Sequence, residues 1–353
     1  MTTIVVIGST KIELTDSYSG KASKLLRMLK EAGFNLTLEP EGDLLLAIDH
    51  NRSGYQNFIK AGGEAKQTLL LRLEPRTIFP SQYTKSVDSK YNRIISPGKV
   101  SDDPDIPLEI GWPYEYHADP NYPKLKSAML NEIIRETSRA KLFELEHWLS
   151  RPIHVCLIAS NKVSPVSDDN YSLRRRIARE LEGDLLEIYG QLWNDSLLKK
   201  CRHRLAVAIF AIKQGTFPSV KSIYGELFRS YPNAKGSIEN KHLVLVESKF
   251  SIVVENSMEN VTEKIIDVLV NGAIPIYVGP GLRHIGFPDG IAIQSSGEPE
   301  EIRKILNDTP TEQVALLLKK AHDFIQSPIF FENWSEEAVY KQILAIVKLQ
   351  DRN

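Results

Sequence analysis

Between Lys249 and Gly279 the chain reads KFSIVVENSMENVTEKIIDVLVNGAIPIYVG, and its polar residues gather into two sets, Glu255-Asn256-Ser257 and Thr262-Glu263-Lys264. A hydroxyl, a carboxylate and an ammonium grouped in this way can hold an anionic ligand. The apolar run Phe250 to Val254 before the first set reads as a buried strand. The second set reads as a helix start, and that helix should end at Asn271-Gly272, since glycine favours the position just past a last turn. Ala273 to Val278 then reads as the next strand. Strand, loop, helix and strand make a βαβ half-unit, which brings both polar sets to the carboxyl edge of one sheet, where open α/β folds bind ligands. Glu263 suits the partial positive charge of a helix N-terminus, whereas Lys264 opposes it by roughly 0.3 to 1 kcal/mol. An anion such as phosphate between Lys264 and the free backbone N–H groups would account for that placement. A surface helix start with a capping threonine and a solvated lysine has the same spacing. An Asn-Ser turn at a strand end is equally ordinary, so the residues by themselves leave both readings open.

The elements that must position these groups recur along the chain. Thr3 to Ile7 reads as a strand and Lys21 to Ala32 as a helix; Asn35 to Leu38, Asp43 to Ile48 and Thr68 to Leu73 are short apolar runs. Strands alternating with helical segments predict a mainly parallel sheet covered by helices. The stretch from Pro97 to Pro123 carries six prolines among Trp112, Tyr114, Tyr116 and Tyr122, and reads as a long loop. A helix from about Lys126 to Leu149 should follow. Beyond Ser150 the alternation resumes with strand Ile153 to Ile158, helix Ser172 to Glu182, strand Leu185 to Tyr189 and helix Leu197 to Ile212. Helices near Glu298 to Asn307, Thr311 to Gln326 and Ser335 to Gln350 close the chain.

At 353 residues the chain is long enough for about two domains at roughly 150 residues each. The expected division is 1–150 and 151–353, with the last helix allowed to pack back on the first. A net charge of −1, from 44 basic and 45 acidic residues, gives no general attraction for a polyanion. Nucleic acid is therefore not an expected partner, and any anion site must be local. Cys156 and Cys201 have neither CxxC spacing nor a secretory framework and are expected to be buried free thiols. The opening MTTIVVIG lacks a basic leader and is too short for a signal peptide or a span. The chain reads as cytoplasmic, with peripheral contact to the inner membrane through a lipid-linked acceptor left open.

The ordered strings KFxxxxENS, VTEK and IPIYxG resemble the signature of the α-1,3-fucosyltransferases of glycosyltransferase family 10. Val155 to Asn161, VCLIASN, is similar to the strand that opens the donor-binding domain of that family, chiefly over residues 150 to 290. The resemblance implies a GT-B type α/β fold, with two Rossmann-like domains facing a cleft. The first would bind an acceptor and the second a nucleotide-sugar donor. It implies an enzyme of bacterial type that transfers fucose from GDP-fucose to a hydroxyl of an acceptor glycan with inversion, forming an α-1,3 linkage. Its site residues carry over as Asn256, beside Glu255, in the nucleotide pocket, Glu263 on the ribose hydroxyls, and Lys264 with Arg174 on the diphosphate. Arg175 and Arg176 compete with Arg174 for the last role. Cations there stabilise the departing nucleoside diphosphate. An inverting transferase also needs a base on the acceptor side. Glu74 is the candidate, because the strand Thr68 to Leu73 runs directly into Glu74-Pro75, with Asp49 and His50 as rivals.

No cofactor is implied beyond the donor, and no divalent metal. Asp103-Pro104-Asp105 is a literal DxD but lies in the proline-rich loop with no strand before it, and the histidines lack HExxH or paired spacing. GxSxG and Walker A strings are absent, which removes the serine hydrolase and P-loop classes. The connection Met258-Glu259-Asn260 is shorter than in well-known bacterial family members, and Asn260 stands where they carry a tyrosine. That keeps open the same fold with another nucleotide sugar; a non-catalytic protein that binds a nucleotide sugar or glycan is a separate alternative. Acceptor identity and oligomeric state are not written in the sequence.

Overall fold

The computed structural model contains two compact units, one built from Met1–Lys99, Glu109–Pro113 and Glu332–Asn353 and the other from Val100–Leu108 and Tyr114–Phe331. All residues are described except 11, 13, 15–21, 102–109, 115–138, 165, 167–168, 182, 184–185, 214–226 and 352–353. Asp103-Pro104-Asp105, Tyr116, Tyr122 and the beginning of the expected helix at Lys126 therefore lie outside the described residues.

The first unit holds a five-stranded sheet of β1 (Thr3–Gly8), β2 (Asn35–Thr37), β3 (Leu44–Ile48), β4 (Thr68–Leu71) and β5 (Arg93–Ile95). The order is β2-β1-β3-β4-β5 and every pair is parallel. The central strands are unbroken apolar runs because both faces are covered. Strand alternation sends Ile4, Val6, Leu44, Leu46, Leu69 and Leu71 to one face, against Leu25, Leu26 and Leu29 of the helix Ser23–Glu31. Val339, Tyr340, Ile343 and Val347 of the terminal helix Glu336–Asp351 complete that core. Val5, Leu45, Ala47 and Leu70 face the other way, onto Phe58, Val87 and Tyr91.

The second unit holds six strands, β6 (Ile153–Ile158), β7 (Leu186–Tyr189), β8 (Ala234–Gly236), β9 (Ser248–Val254), β10 (Ile274–Val278) and β11 (Ile293–Gln294). The order is β11-β10-β9-β6-β7-β8, again all parallel. Counted along the chain from β6 this runs sixth, fifth, fourth, first, second, third. That is the doubly wound arrangement, whose strand order reverses between β6 and β9. Val155, Leu157, Ile252, Val254, Ile276 and Val278 carry one face of the sheet into a core with Ile177, Ile302, Val314 and Leu318.

The units differ from the expected ranges before residue 150, where Val100–Leu108 and the chain from Tyr114 onward belong to the second unit. Residues 139–150 join the second unit because Trp148 donates from Nε1 to the Lys249 carbonyl at 2.8 Å and packs edge-on against Phe250 at 5.3 Å. This stretch is also not one continuous helix. A 3₁₀ turn (Arg139–Phe143) and a helix (Leu145–Ser150) meet at an extended Glu144. At the other end of the chain, the apolar stripe of Glu336–Asp351 packs on the first sheet. A helix Pro328–Trp334, not foreseen, precedes it. Of the two thiols, Cys156 is fully buried and Cys201 half-buried.

Candidate active site

The carboxyl end of β9 is held to its neighbour by the Glu255 amide, which donates to the Val278 carbonyl at 2.9 Å. The Glu255 side chain is completely buried beneath the first turn of the helix Glu263–Val270. Its Oε1 accepts from the Thr262 amide at 3.1 Å, and its Oε2 accepts from the Thr262 hydroxyl at 2.8 Å and the Lys264 ammonium at 3.0 Å. Lys264 donates also to Thr262 Oγ1 at 2.7 Å. This corrects the reading of Lys264: the anion that offsets its unfavourable place in the helix field belongs to the chain itself. Thr262 occupies the N-cap position without accepting a capping bond, because its hydroxyl is engaged by Glu255 and Lys264. Glu255, expected among the ligand contacts, has both oxygens committed and no exposed surface. It holds Lys264 in place instead.

Arg174 reaches the same strand end from the helix Tyr171–Glu180. One of its terminal nitrogens donates to the Val254 carbonyl at 2.6 Å and to Asn256 Oδ1 at 2.8 Å, and the guanidinium lies 4.7 Å from the Tyr171 ring centroid. Burial lowers its pKa, while Tyr171, Glu255 and Asp169 act in the opposite sense. Its two neighbours point elsewhere: Arg175 donates to the Lys162 carbonyl at 2.8 Å and Arg176 pairs with Glu298 at 2.6 Å. Helical periodicity turns only one of three consecutive arginines toward β9.

Beside this cluster is a cavity of about 250 Å³. Ile158, Ala159 and Ser160 at the end of β6, Val254 at the end of β9, and Glu263 and Lys264 contribute to its wall. It thus opens at the point where the sheet order reverses, the position at which doubly wound sheets bind ligands. Gly190, also on the wall, has φ +138°, and a Cβ there would lie 2.3 Å from the Ala159 carbonyl oxygen. Only glycine allows the ends of β6 and β7 to come this close. Glu263 is half-buried, and burial by itself would raise its pKa. Lys264, Lys241, its own backbone amide and Arg174 outweigh that, so its carboxyl titrates below the usual range and is ionised at neutral pH.

Two further polar residues of the cavity were not anticipated. Asp267, one helical turn beyond Glu263, forms an ion pair with Lys241 and accepts from the Tyr114 hydroxyl at 3.1 Å. Spacing of four on one helix puts Glu263 and Asp267 on the same face, a signal present in the sequence; Lys241 carries no comparable signal. Burial raises Asp267 from 3.8 to about 6 against the pull of Lys241. Because the folded pKa lies above the unfolded one, the folded state takes up the proton more readily. The associated stability is present below about pH 4 and is lost as pH rises through about 6. Relative to Asp267→Asn, the wild type is expected to lose up to about 3 kcal/mol of unfolding free energy between pH 4 and pH 7. Denaturant titrations of both proteins at the two pH values measure this. An unchanged difference would refute the raised pKa.

In the first unit, Glu74 follows β4 and is half-buried. Its amide donates to Asp49 Oδ1 at 2.9 Å, and its carbonyl accepts from Gln82 Nε2 at 2.8 Å and the Tyr83 hydroxyl at 2.9 Å. Asp49 also accepts from the Leu73 amide at 2.9 Å, and sits at φ +56°, a left-handed conformation that aspartate tolerates better than most residues. The sheet order of this unit reverses between β1 and β3, and Asp49 directly follows β3. Its carboxylate is fully buried on backbone amides, so it positions the Glu74 segment. His50 is buried, its Nδ1 lies 2.9 Å from the Tyr91 hydroxyl, and desolvation pulls its pKa down to about 4. It is neutral at physiological pH. Arg72 pairs with Asp88 and donates to the Gln82 carbonyl.

These two units, each a parallel sheet with helices on both faces, define an α/β fold of GT-B type. The sequence matches no protein-family model and no curated protein. Among solved structures the chain is similar to HepE of Anabaena in complex with UDP-glucose, with a TM-score of 0.53, 10% identity, and coverage of 99% of this chain and 100% of that one. It is also similar to an α1,3-fucosyltransferase, with a TM-score of 0.51, 14% identity, and coverage of 100% of this chain and 90% of that one. At such identities the likeness is one of fold.

Proposed function

We propose that the protein is an inverting glycosyltransferase that uses GDP-fucose as donor and a hydroxyl of a glycan as acceptor. The observation that carries this reading is the meeting of Arg174, Lys264 and Glu263 beside a cavity at the β6/β9 reversal point. An ammonium has three N–H donors, and two of those on Lys264 are occupied by Glu255 and Thr262, which leaves one for a phosphate oxygen. Arg174 supplies the second positive charge, and the helix N-terminus supplies backbone donors. Charge on the leaving diphosphate grows as the glycosidic bond breaks, so these groups bind the transition state more tightly than the ground state. Glu263 meets the ribose hydroxyls, and Asn256, tied to Arg174, lies at the nucleotide. Glu74 takes the proton from the attacking hydroxyl. Two cations in the protein stand in for a divalent metal, so none is required. The sequence resemblance favours this donor, and the chain shares its fold with an α1,3-fucosyltransferase.

A second reading is a UDP-sugar transferase, favoured by the likeness to a structure that holds UDP-glucose. Calorimetric titration with GDP, UDP and dTDP, with and without EDTA, separates the two. GDP is expected to bind at least about tenfold more tightly than UDP, a difference of about 1.4 kcal/mol, and to be indifferent to the chelator. Preference for UDP would move the reading to a UDP sugar, loss of binding in EDTA would end the metal-free proposal, and failure to bind any nucleotide would end the transferase reading.

A further inference from the structure

The helix Leu197–Lys213, LLKKCRHRLAVAIFAIK, contains five lysines and arginines and no carboxylate, in a chain whose net charge is −1. Its apolar residues are not all turned inward. Leu198, Leu205, Ile209 and Ile212 are 60%, 55%, 45% and 56% exposed. They stand seven, four and three residues apart, a spacing that lines them up on one face. Arg202 is exposed within the same row, and Lys199 and Lys213 are exposed beside it. Lys200 and Arg204 are buried on the opposite side, where Lys200 donates to the Arg229 carbonyl at 3.4 Å. That bond fixes residues 228–229 next to the helix, and Phe228 is 83% exposed there with Arg229 exposed beside it. Among the described residues, Asp195 pairs with Lys199 at 2.9 Å at this surface.

Isolated exposed leucines are common, but a row of four in a helix otherwise charged only with cations is not. Among the described residues no helix is long and apolar enough to cross a membrane. Four exposed apolar side chains in one row, with Arg202 in that row, Lys199 and Lys213 beside it and no acidic residue in the helix, suit a surface that is apolar below and anionic at its headgroups. The apolar side chains sink below the headgroups while lysine and arginine stems extend back to the phosphates. A protein partner would be a poorer match, since interface cores disfavour lysine.

We propose that the outer face of Leu197–Lys213, with Phe228, docks the protein on an anionic lipid surface. The assignment is independent of the nucleotide site. Sedimentation of the full chain with vesicles tests it. Vesicles of phosphatidylcholine containing phosphatidylglycerol are expected to retain the protein at least about tenfold more strongly than phosphatidylcholine alone, as each basic residue near an anionic surface contributes about 1 kcal/mol. Leu205→Ser with Ile209→Ser, and separately Arg202→Glu with Lys213→Glu, should each abolish that retention with the circular dichroism spectrum unchanged, because all four side chains are exposed. Equal affinity for both vesicle types, no affinity of the intact chain for either, or retention that survives both pairs of substitutions would overturn the proposal. So would a concentration-dependent dimer that the Leu205/Ile209 pair disperses, which would give the face to a second copy.

Discussion

Glu74→Gln is expected to reduce the rate of sugar transfer by about two to four orders of magnitude, the usual contribution of a positioned general base. The substitution keeps the shape of the side chain and removes its capacity to accept a proton. It should leave the fold intact, because bonds from the backbone of residue 74 to Asp49, Gln82 and Tyr83 persist whichever side chain is present. Nucleotide affinity should therefore be unchanged within about twofold, which separates this outcome from general damage; twofold corresponds to only about 0.4 kcal/mol. Steady-state transfer and calorimetric GDP binding, measured on the same preparations, check both halves. Transfer at the wild-type rate would remove Glu74 from the mechanism. Asp49 would not replace it, since its buried carboxylate is occupied by the amides of Leu73 and Glu74. Nor would His50, whose pKa of about 4 makes it a weak base.

Lys264→Ala should have two consequences with different origins. On the proposed function, loss of this cation should lower turnover by about two to three orders of magnitude, comparable to deleting one donor to a developing negative charge. The same substitution strips a fully buried carboxylate, Glu255, of its charged partner. Breaking such a pair from one side costs about 3 to 5 kcal/mol, because the remaining charge is left unpaired in the interior. A Glu255→Gln/Lys264→Met double variant distinguishes the effects: it removes both charges at once, so much of the stability should return while turnover and GDP affinity remain reduced. Thermal melts and GDP titrations of the two variants provide the readout. If the double variant binds GDP as the wild type does, Lys264 serves only to neutralise Glu255 and the phosphate role falls.

Much of the second unit was legible before folding was considered. β9, the helix after it and β10 follow from apolar runs punctuated by Glu255-Asn256-Ser257, Thr262-Glu263-Lys264 and Asn271-Gly272, and the observed boundaries lie within about two residues of those signals. Less legible was the stretch before Ser150. Helical propensity there is satisfied by two short pieces, because anchoring Trp148 over Phe250 takes precedence over continuing one helix. Propensity is a weak prior wherever a large aromatic residue gains a buried position. The terminal helix shows the converse. Its apolar stripe at Val339, Tyr340, Ile343 and Val347 declared that it must pack on something, but not on which sheet.

The sequence by itself determined which chemical groups stand at the end of β9 and at the start of the next helix, because strand and helix periodicity are local properties of the chain. It also determined that both sheets are parallel and covered, through the uninterrupted apolar strands. Strand order was decided only by the tertiary structure, as the β6/β9 adjacency joins segments some ninety residues apart, and this places the reversal point and its cavity. Partners across such distances were decided there too. Arg174, and not its neighbours, faces Asn256; Lys241 pairs with Asp267; and Lys264 is held by a buried Glu255 rather than standing alone in the helix field. Spacing along a chain fixes which side chains share a face, whereas pairing of charges depends on which faces are brought together and how much water is excluded between them.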